Sequence, residues 1–349
     1  MAFVHLHNHT EYSLLDGLTH IKDMVRRAAD LDMPAIAITD HGVMSGVPEL
    51  CDACTAVEKE TGKKVKPIYG CEVYFIVDDE VRRDIRQKRY HLLLLAKTNE
   101  GYHNLLHLVS ESHVDNYYYK PLTTLSMLKK YGKGLIGSSA CIAGVIPKLL
   151  DNRQFDDAVE WANKFAACFE PGDFYIELQN QGIITDGGMT QTQLNHQLNK
   201  VAQAAGLKTI ATNDFHYLLQ EDAKAQDIML CIGTGSSVND TNRLKFENDQ
   251  FYMKDEAEMR AALADFPEAC DNTVEVAEKC NVELERDSIL PKFPLPEGET
   301  DESWFRHQVM EGMKARYGDP IPQEPLDRAE YEMSVIIQQG FPAYFLIVQ

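Results

Sequence analysis

Hydrophobic and polar positions fall into two kinds of segment that alternate along the chain. Short runs of branched and aromatic residues, FVHLH (3 to 7), AIAIT (35 to 39), KPIYGCEVYF (66 to 75), YHLLLLA (90 to 96), GLIGSS (134 to 139), FYIELQ (174 to 179) and KTIAT (208 to 212), predict seven strands. Between the first two, Ile21, Met24, Val25, Ala28 and Leu31 recur at helical spacing until Met33-Pro34 ends the segment. Similar periodicity marks 101 to 111, 155 to 169, 190 to 205 and 256 to 281. Strand followed by helix, repeated, is the pattern of an α/β fold built on parallel strands, and seven strands predict a barrel.

After about residue 284 the pattern changes to two proline clusters, Pro291, Pro294 and Pro296, then Pro320, Pro322 and Pro325, with a short helical pattern between them. This is linker composition. Residues 326 to 349 read as helical and stop at FPAYFLIVQ, an apolar run with no polar cap, which predicts a piece of a longer protein. A length of 349 residues fits one large domain plus an appendage, and a 44% hydrophobic content supplies its core. No apolar run of eighteen residues and no secretory signal occurs, so a cytoplasmic protein is expected.

The eight cysteines are scattered, as in a reducing compartment. Cys51 and Cys54 form a lone CxxC that Leu50, Ala53 and Val57 place on a helix rather than in a zinc knuckle. A net charge of −20 argues against a broad nucleic-acid surface, so any DNA contact must be local or shared with a basic region elsewhere.

The chemistry gathers at the strands. His5, His7 and His9 alternate with Val4, Leu6 and Asn8, so strand geometry would put three imidazoles on one side. The second strand ends in Thr39-Asp40-His41-Gly42, the third contains Glu72, the fourth starts with His91, the fifth runs into Cys141 and the seventh into Asp214-Phe215-His216. Most of these lie at strand C-terminal ends, where barrel enzymes build their sites. Glu177 of the sixth strand has no assigned part. Arg82, Arg83, Arg86, Lys88 and Arg89 form the one dense basic run, either a solvated loop or a phosphate clamp. Tyr117, Tyr118 and Tyr119 could stack on bases or pack between domains.

HLHNHTEYSLLDG, ITDHG, GCEVY, YHLLLLA and ATNDFHY resemble the successive metal motifs of the PHP (polymerase and histidinol phosphatase) family, over residues 3 to 217. Tyr118-Tyr119-Lys120-Pro121, RLKFENDQFYMKDEAEM (243 to 259) and GFPAYFLIV (340 to 348) favour its branch at the N-terminus of bacterial polymerase III alpha subunits. The resemblance implies a distorted (β/α)7 barrel over 1–284, then a linker and the helical start of a polymerase portion over 285–349. It implies three divalent ions, zinc first with manganese or iron as alternatives, held by nine residues. His7, His9 and Asp214 would hold one ion, Glu72 would bridge it to a second held by His91 and Cys141, and Asp16, His41 and His216 would hold the third. His5 has no counterpart among these and reads as an interior support.

The activity so implied is 3′–5′ exonuclease hydrolysis of DNA phosphodiesters, with His7, His9, Glu72 and Asp214 around the attacking water, in a protein whose full length is a DNA polymerase. Its implied partners are a DNA 3′ terminus, the rest of that subunit, a separate proofreading exonuclease and other replisome components, with no membrane. Two rivals stand beside this reading: a metal-stabilised module that only docks a separate exonuclease, and a free-standing phosphatase of small esters such as histidinol phosphate. Nine ligands for three ions leave positions open for water, which favours catalysis.

Overall fold

The computed structural model describes residues 2–78, 86–285 and 290–349. The chain divides into two compact units, Met1–Leu284 and Glu285–Gln349. The first contains, in order, α1 (Ile21–Asp30), β1 (Ala35–Ile38), α2 (Val47–Thr61), β2 (Lys66–Phe75), β3 (Tyr90–Ala96), α3 (Asn99–Val114), β4 (Tyr117–Tyr118), β5 (Lys120–Thr123), α4 (Leu125–Tyr131) and β6 (Leu135–Ser138). It continues with α5 (Val145–Asp151), α6 (Phe155–Ala166), β7 (Phe174–Leu178), α7 (Gln191–Ala205), β8 (Lys208–Ala211), α8 (Ala223–Thr234), α9 (Glu256–Ala262) and α10 (Pro267–Lys279).

The sheet runs β1-β2-β3-β6-β7-β8 and curls, with β4 and β5 as a small hairpin added where β5 pairs with the end of β2. Residues 3 to 9 form no regular strand, contrary to the expectation for FVHLH. They nevertheless bridge the two edges: Ala37 N–H donates to His5 O beside β1, and His9 N–H donates to Phe215 O beyond β8. The ladder is broken because side chains take its place. Asn8 Nδ2 donates to the carbonyls of His5 and Ala37, and Asn8 N–H donates to Thr39 Oγ1. Seven staves thus make a distorted α/β barrel, one of them irregular.

An all-parallel barrel is also corrected. β3 runs antiparallel to both β2 and β6, while the β1–β2, β6–β7 and β7–β8 pairs are parallel. The reversal brings the first residues of β3 to the end of the barrel where the other strands finish.

Both faces of the strands are buried, which explains their nearly continuous apolar sequence. Ile36, Ile38, Cys71, Val73, Phe75, Leu92, Leu94, Leu135, Ile176 and Leu178 share a core with the helices. The alternate row, Ala35, Ala37, Ile68, Leu95, Ile136, Tyr175 and Ile210, forms a separate cluster with Val276, Ala277 and Cys280 of α10. Two or four residues further along this second row stand Glu72, His91, Ser138, Glu177, Thr212 and Asp214. One row therefore changes from an apolar floor to a polar mouth.

One further expectation is modified. The periodic segment 256 to 281 is two helices, because Pro267 has no N–H to continue α9 and instead begins α10. The hairpin of β4 and β5 was not anticipated by pattern, since its strands are two and four residues long. In the second unit, where a linker and helices were expected, α11 (Asp301–Tyr317), α12 (Gln323–Gln338) and α13 (Pro342–Val348) bury Phe305, Met333 and Leu346 together. Among the described residues no helix is long and apolar enough to cross a membrane.

Candidate metal centre

The irregular first stave separates its histidines. His5 is fully buried, packs edge-on against Phe3 and Phe215, and bonds through Nε2 to Lys254 O at 2.8 Å. Burial lowers its pKa to about 4. His5 does not share a side with the other two, because the segment lacks the period-two twist of a strand. His7 and His9 turn instead toward Glu72 and Asp214.

His7 Nε2 lies 3.1 Å from Glu72 Oε1 and 3.3 Å from Asp214 Oδ1, and His9 Nε2 lies 3.0 Å from Asp214 Oδ1. Glu72 also reaches His91 Nδ1 at 2.9 Å and His41 Nδ1 at 2.8 Å. Cys141 Sγ sits 3.6 Å from His91 Nδ1 and 3.8 Å from Glu72 Oε1. At the rim, Asp16 Oδ2 is 2.8 Å from His41 Nε2 and 3.5 Å from His216 Nε2. All nine residues carried over from the motifs therefore meet at one end of the barrel. Ligand atoms close enough to share an ion group as His7, His9 and Asp214, as His41, Glu72 and His91, and as His9, His41 and His216. In that last group His9 stands where the motifs suggested Asp16.

The approach is close but badly aligned for hydrogen bonding. His7 Nε2, His9 Nε2, His41 Nδ1, Glu72 Oε2 and Asp214 Oδ1 are all buried without a hydrogen-bond partner, although each lies near another of them. Leaving such groups unsatisfied costs about 1–3 kcal/mol each. Ligands held about 2.1 Å from one ion at tetrahedral or right angles would lie roughly 3.0–3.4 Å apart. The observed spacings fit that arrangement, with lone pairs aimed at shared points rather than at each other.

The far sides of the rings explain how they are aimed. His7 Nδ1 contacts Glu177 Oε1 at 2.6 Å, and Glu177 is itself fixed by hydroxyl donors from Ser138 and Thr212 and by the amide of Gln179. His9 Nδ1 pairs with Ser13 Oγ at 3.0 Å, and Ser13 in turn donates to Asp40 Oδ1 at 2.6 Å. His216 Nδ1 pairs with Asp214 O at 2.8 Å. With Nδ1 as donor in all three, each Nε2 is left with a lone pair facing the centre, the arrangement metal-bound histidines use. Asp40 also accepts from Thr10 N–H and Oγ1, so it braces the loop that carries Asp16.

Loop backbones are bent to the same end. Asp214 (φ 48°), Ala140 (φ 58°) beside Cys141 and Leu15 (φ 63°) beside Asp16 adopt left-handed conformations that non-glycine residues rarely take outside functional or tightly constrained sites.

Electrostatics reflect the crowding. Burial opposes charge on His7, but Asp214, Glu177 and Glu72 outweigh it and hold its pKa well above the ordinary value. Burial likewise opposes charge on Glu72 and Asp214, yet the imidazoles keep both carboxyls ionised below their usual range. His9 goes the other way, to about 3, through burial and the neighbouring His41 and His216. Burial and nearby carboxylates push the Cys141 thiol well up, so without a counter-charge it stays protonated.

Residues 5–181 match the PHP domain model, and residues 303–349 match the bacterial DNA polymerase III alpha NTPase domain model. The chain belongs to the PHP domain family. It is 42% identical over 352 residues to the DNA polymerase III subunit alpha of Borreliella burgdorferi, covering 99% of this chain and 30% of that protein. The corresponding protein of Treponema pallidum is 38% identical, covering 100% and 29%. The one from Helicobacter pylori strain 26695 is 39% identical, covering 99% and 30%. This PHP chain thus spans under a third of the length of the curated relatives it matches.

Sequence reasoning missed three supports of this PHP site. Glu177 was visible as an acid on a strand, but its service to His7 depends on β7 and the first stave, 170 positions apart, which only the fold brings together. Ser13 and Asp40 lie inside the first two motifs, and no spacing distinguishes them from ligands. Of the basic run, Arg82 and Arg83 lie outside the described residues.

Proposed function

We propose that this chain is a metal-dependent phosphodiesterase that removes nucleotides from the 3′ terminus of DNA, within a cytoplasmic subunit whose remainder polymerises DNA. The observation that carries the reading is the set of five buried nitrogen and oxygen atoms that face one another without hydrogen-bond partners. His7, His9 and Asp214 would hold one divalent ion, Glu72 would be shared with a second at His91 and Cys141, and Asp16, His41 and His216 would hold a third. Imidazole with carboxylate suits zinc, manganese or iron, and the thiolate favours zinc. When bound, such ions lower the pKa of water and offset phosphate charge.

The chain's own residues supply position and direction. Glu72, 1% exposed, places one negative charge between four imidazoles and so ties the groups together. Glu177 fixes His7 and the Ser13–Asp40 relay fixes His9, so neither ring can turn as substrate arrives. Asp214 is held ionised and its side chain is 10% exposed, which suits it to orient an entering water by accepting its hydrogen bond. Asp16, the most exposed of these side chains at 26%, and His41, at 16%, border the mouth where the departing 3′ oxygen would lie. DNA, the rest of the subunit and a separate proofreading exonuclease are the partners this reading names.

The test is release of 3′ nucleotides from mismatched or single-stranded DNA, in the full-length subunit and in its Asp214→Asn form. Losing one carboxylate charge while keeping shape should lower the rate by about a hundredfold or more, while the protein still unfolds in a single cooperative transition when metal is supplied. Equal rates in the two proteins would remove Asp214 from catalysis and the exonuclease reading with it.

A further inference from the structure

Next to the centre lies a cavity of about 480 Å3 whose lining includes Lys88, Arg89, Tyr90, Ala143, Lys148 and Asp186. Its wall is the backbone that carries two of the site residues. Tyr90 precedes His91, and Ala143 O accepts the His91 N–H at 3.1 Å, two residues beyond Cys141. In a chain of charge −20, three cations at this one place are unusual. The acids beside them are largely committed. Asp151 accepts from Thr185 Oγ1 and from Gly187 N–H, and Asp186, its side chain 90% exposed, pairs with Lys148 at 2.8 Å in a contact that water screens.

Arg89 joins the cavity to an aromatic surface. Its guanidinium donates to Tyr118 O at 3.3 Å and lies 5.8 Å from the centre of the Tyr119 ring, while its buried Nε finds no acceptor among the described residues. Tyr119 is 64% exposed and sits at φ 60°, the turn residue between β4 and β5, so its ring is presented outward by a backbone that tyrosine seldom adopts.

From this geometry we propose that the cavity receives a backbone phosphate of single-stranded DNA, held by Lys88, Arg89 and Lys148, with an adjoining base stacked on Tyr119. The assignment rests on reading the neighbouring centre as the place where a DNA 3′ end is cut. Phosphates on flexible single strands are held by Lys and Arg, and bases of any kind stack on exposed aromatic rings, so the subsite would bind without sequence preference. It also answers the charge problem: an acidic chain needs only a local cationic track to guide a strand to its site.

The test is anisotropy of a fluorescent oligothymidylate, its last linkages made of phosphorothioate to resist cleavage, with the 349-residue chain at several salt concentrations. The Lys88→Ala, Lys148→Ala double variant should bind about tenfold more weakly and lose roughly 1.4 from the log–log salt slope, about 0.7 for each contact to a single strand. Tyr119→Ala should weaken binding severalfold at unchanged slope. Asp186→Asn should tighten binding, a gain that damage to the fold could not produce. Lys200→Ala, an exposed lysine of α7 outside the cavity, should change nothing. Equal affinity of the double variant and the unmodified chain overturns the proposal, as does failure of the unmodified chain to bind at low salt. Variant-sensitive binding here, together with no nucleotide release from unmodified oligothymidylate by the full-length subunit, would instead overturn the catalytic reading and leave the phosphate subsite standing.

Discussion

His41 stands between two carboxylates, and although burial opposes its charge, its hydrogen bond with Asp16 and the negative charge of Glu72 beside it push its pKa up to about 10. His5 and His9 are driven down, to about 4 and about 3, chiefly by burial. These opposite shifts set the pH response of the metal-free protein. Between about pH 4 and 6.5 the unfolded chain protonates His5 and His9 while the folded one does not, so stability rises with pH. Above 6.5 the folded chain keeps the His41 proton that the unfolded chain has lost, so stability falls as pH climbs toward 10. Denaturant titrations of metal-stripped protein should therefore peak near pH 6.5. With ions supplied, the trend above 6.5 should reverse, since ligands must shed protons to bind metal. A stripped protein that grows steadily more stable from pH 6.5 to 9 would contradict these assignments. At this scale the site was largely legible: His, Asp, Glu and Cys at strand ends are few and chemically distinctive. What escaped was the role of residues acting through others, such as Glu177 and Ser13, whose partners lie 170 and 27 positions away in the case of His7 and Asp40.

Elements were legible where hydrophobic period decided them. Expected and observed bounds coincide for β2 and β3, long strands buried along most of their length. They failed where side chains replace backbone bonds, as Asn8 does along the first stave, and where a proline divides one apolar face into α9 and α10. Direction was not readable at all, because nothing in YHLLLLA says that β3 runs opposite to β2. The corner after β3 shows how tightly elements are fitted. Thr98 caps α3 by accepting from Gly101 N–H at 3.1 Å, and a Cβ on Gly101 would come within 1.7 Å of Gly134 O just before β6. The corner lies at the end of β3 away from His91, so its disturbance should be felt in stability alone. Gly101→Ala should lower unfolding free energy by about 1–3 kcal/mol through overpacking, read as a shifted urea midpoint. Its metal content after reloading should equal that of the unmodified chain. An unshifted midpoint would show that the two turns separate freely.

For the whole molecule, the dominant fact is that one end of the barrel concentrates ionisable groups that the fold alone does not satisfy. The apolar floor formed by Ala35, Ile68, Leu95, Ile136, Tyr175 and Ile210 gives way to a mouth where buried acids and imidazoles lack hydrogen-bond partners. Metal ions binding only the folded state would stabilise it by mass action, about 2.7 kcal/mol for a site held at a hundred times its dissociation constant. For a unit of this size each kcal/mol moves the melting temperature by roughly 2–4 °C, so stripping even one such site should lower it by about 5–10 °C. The loss should be greater when several sites empty together, because the remaining carboxylates and imidazoles must then satisfy one another. Scanning calorimetry of the chain before and after chelation, with metal content measured in both samples, checks this. Restoring zinc, manganese or iron in turn should recover the transition to different extents, ranking the ions by their hold on the folded centre independently of turnover. Identical melting curves in loaded and verified metal-free samples would mean that the opposed side chains already balance one another, and that the unpartnered atoms at the barrel mouth do not mark a metal centre.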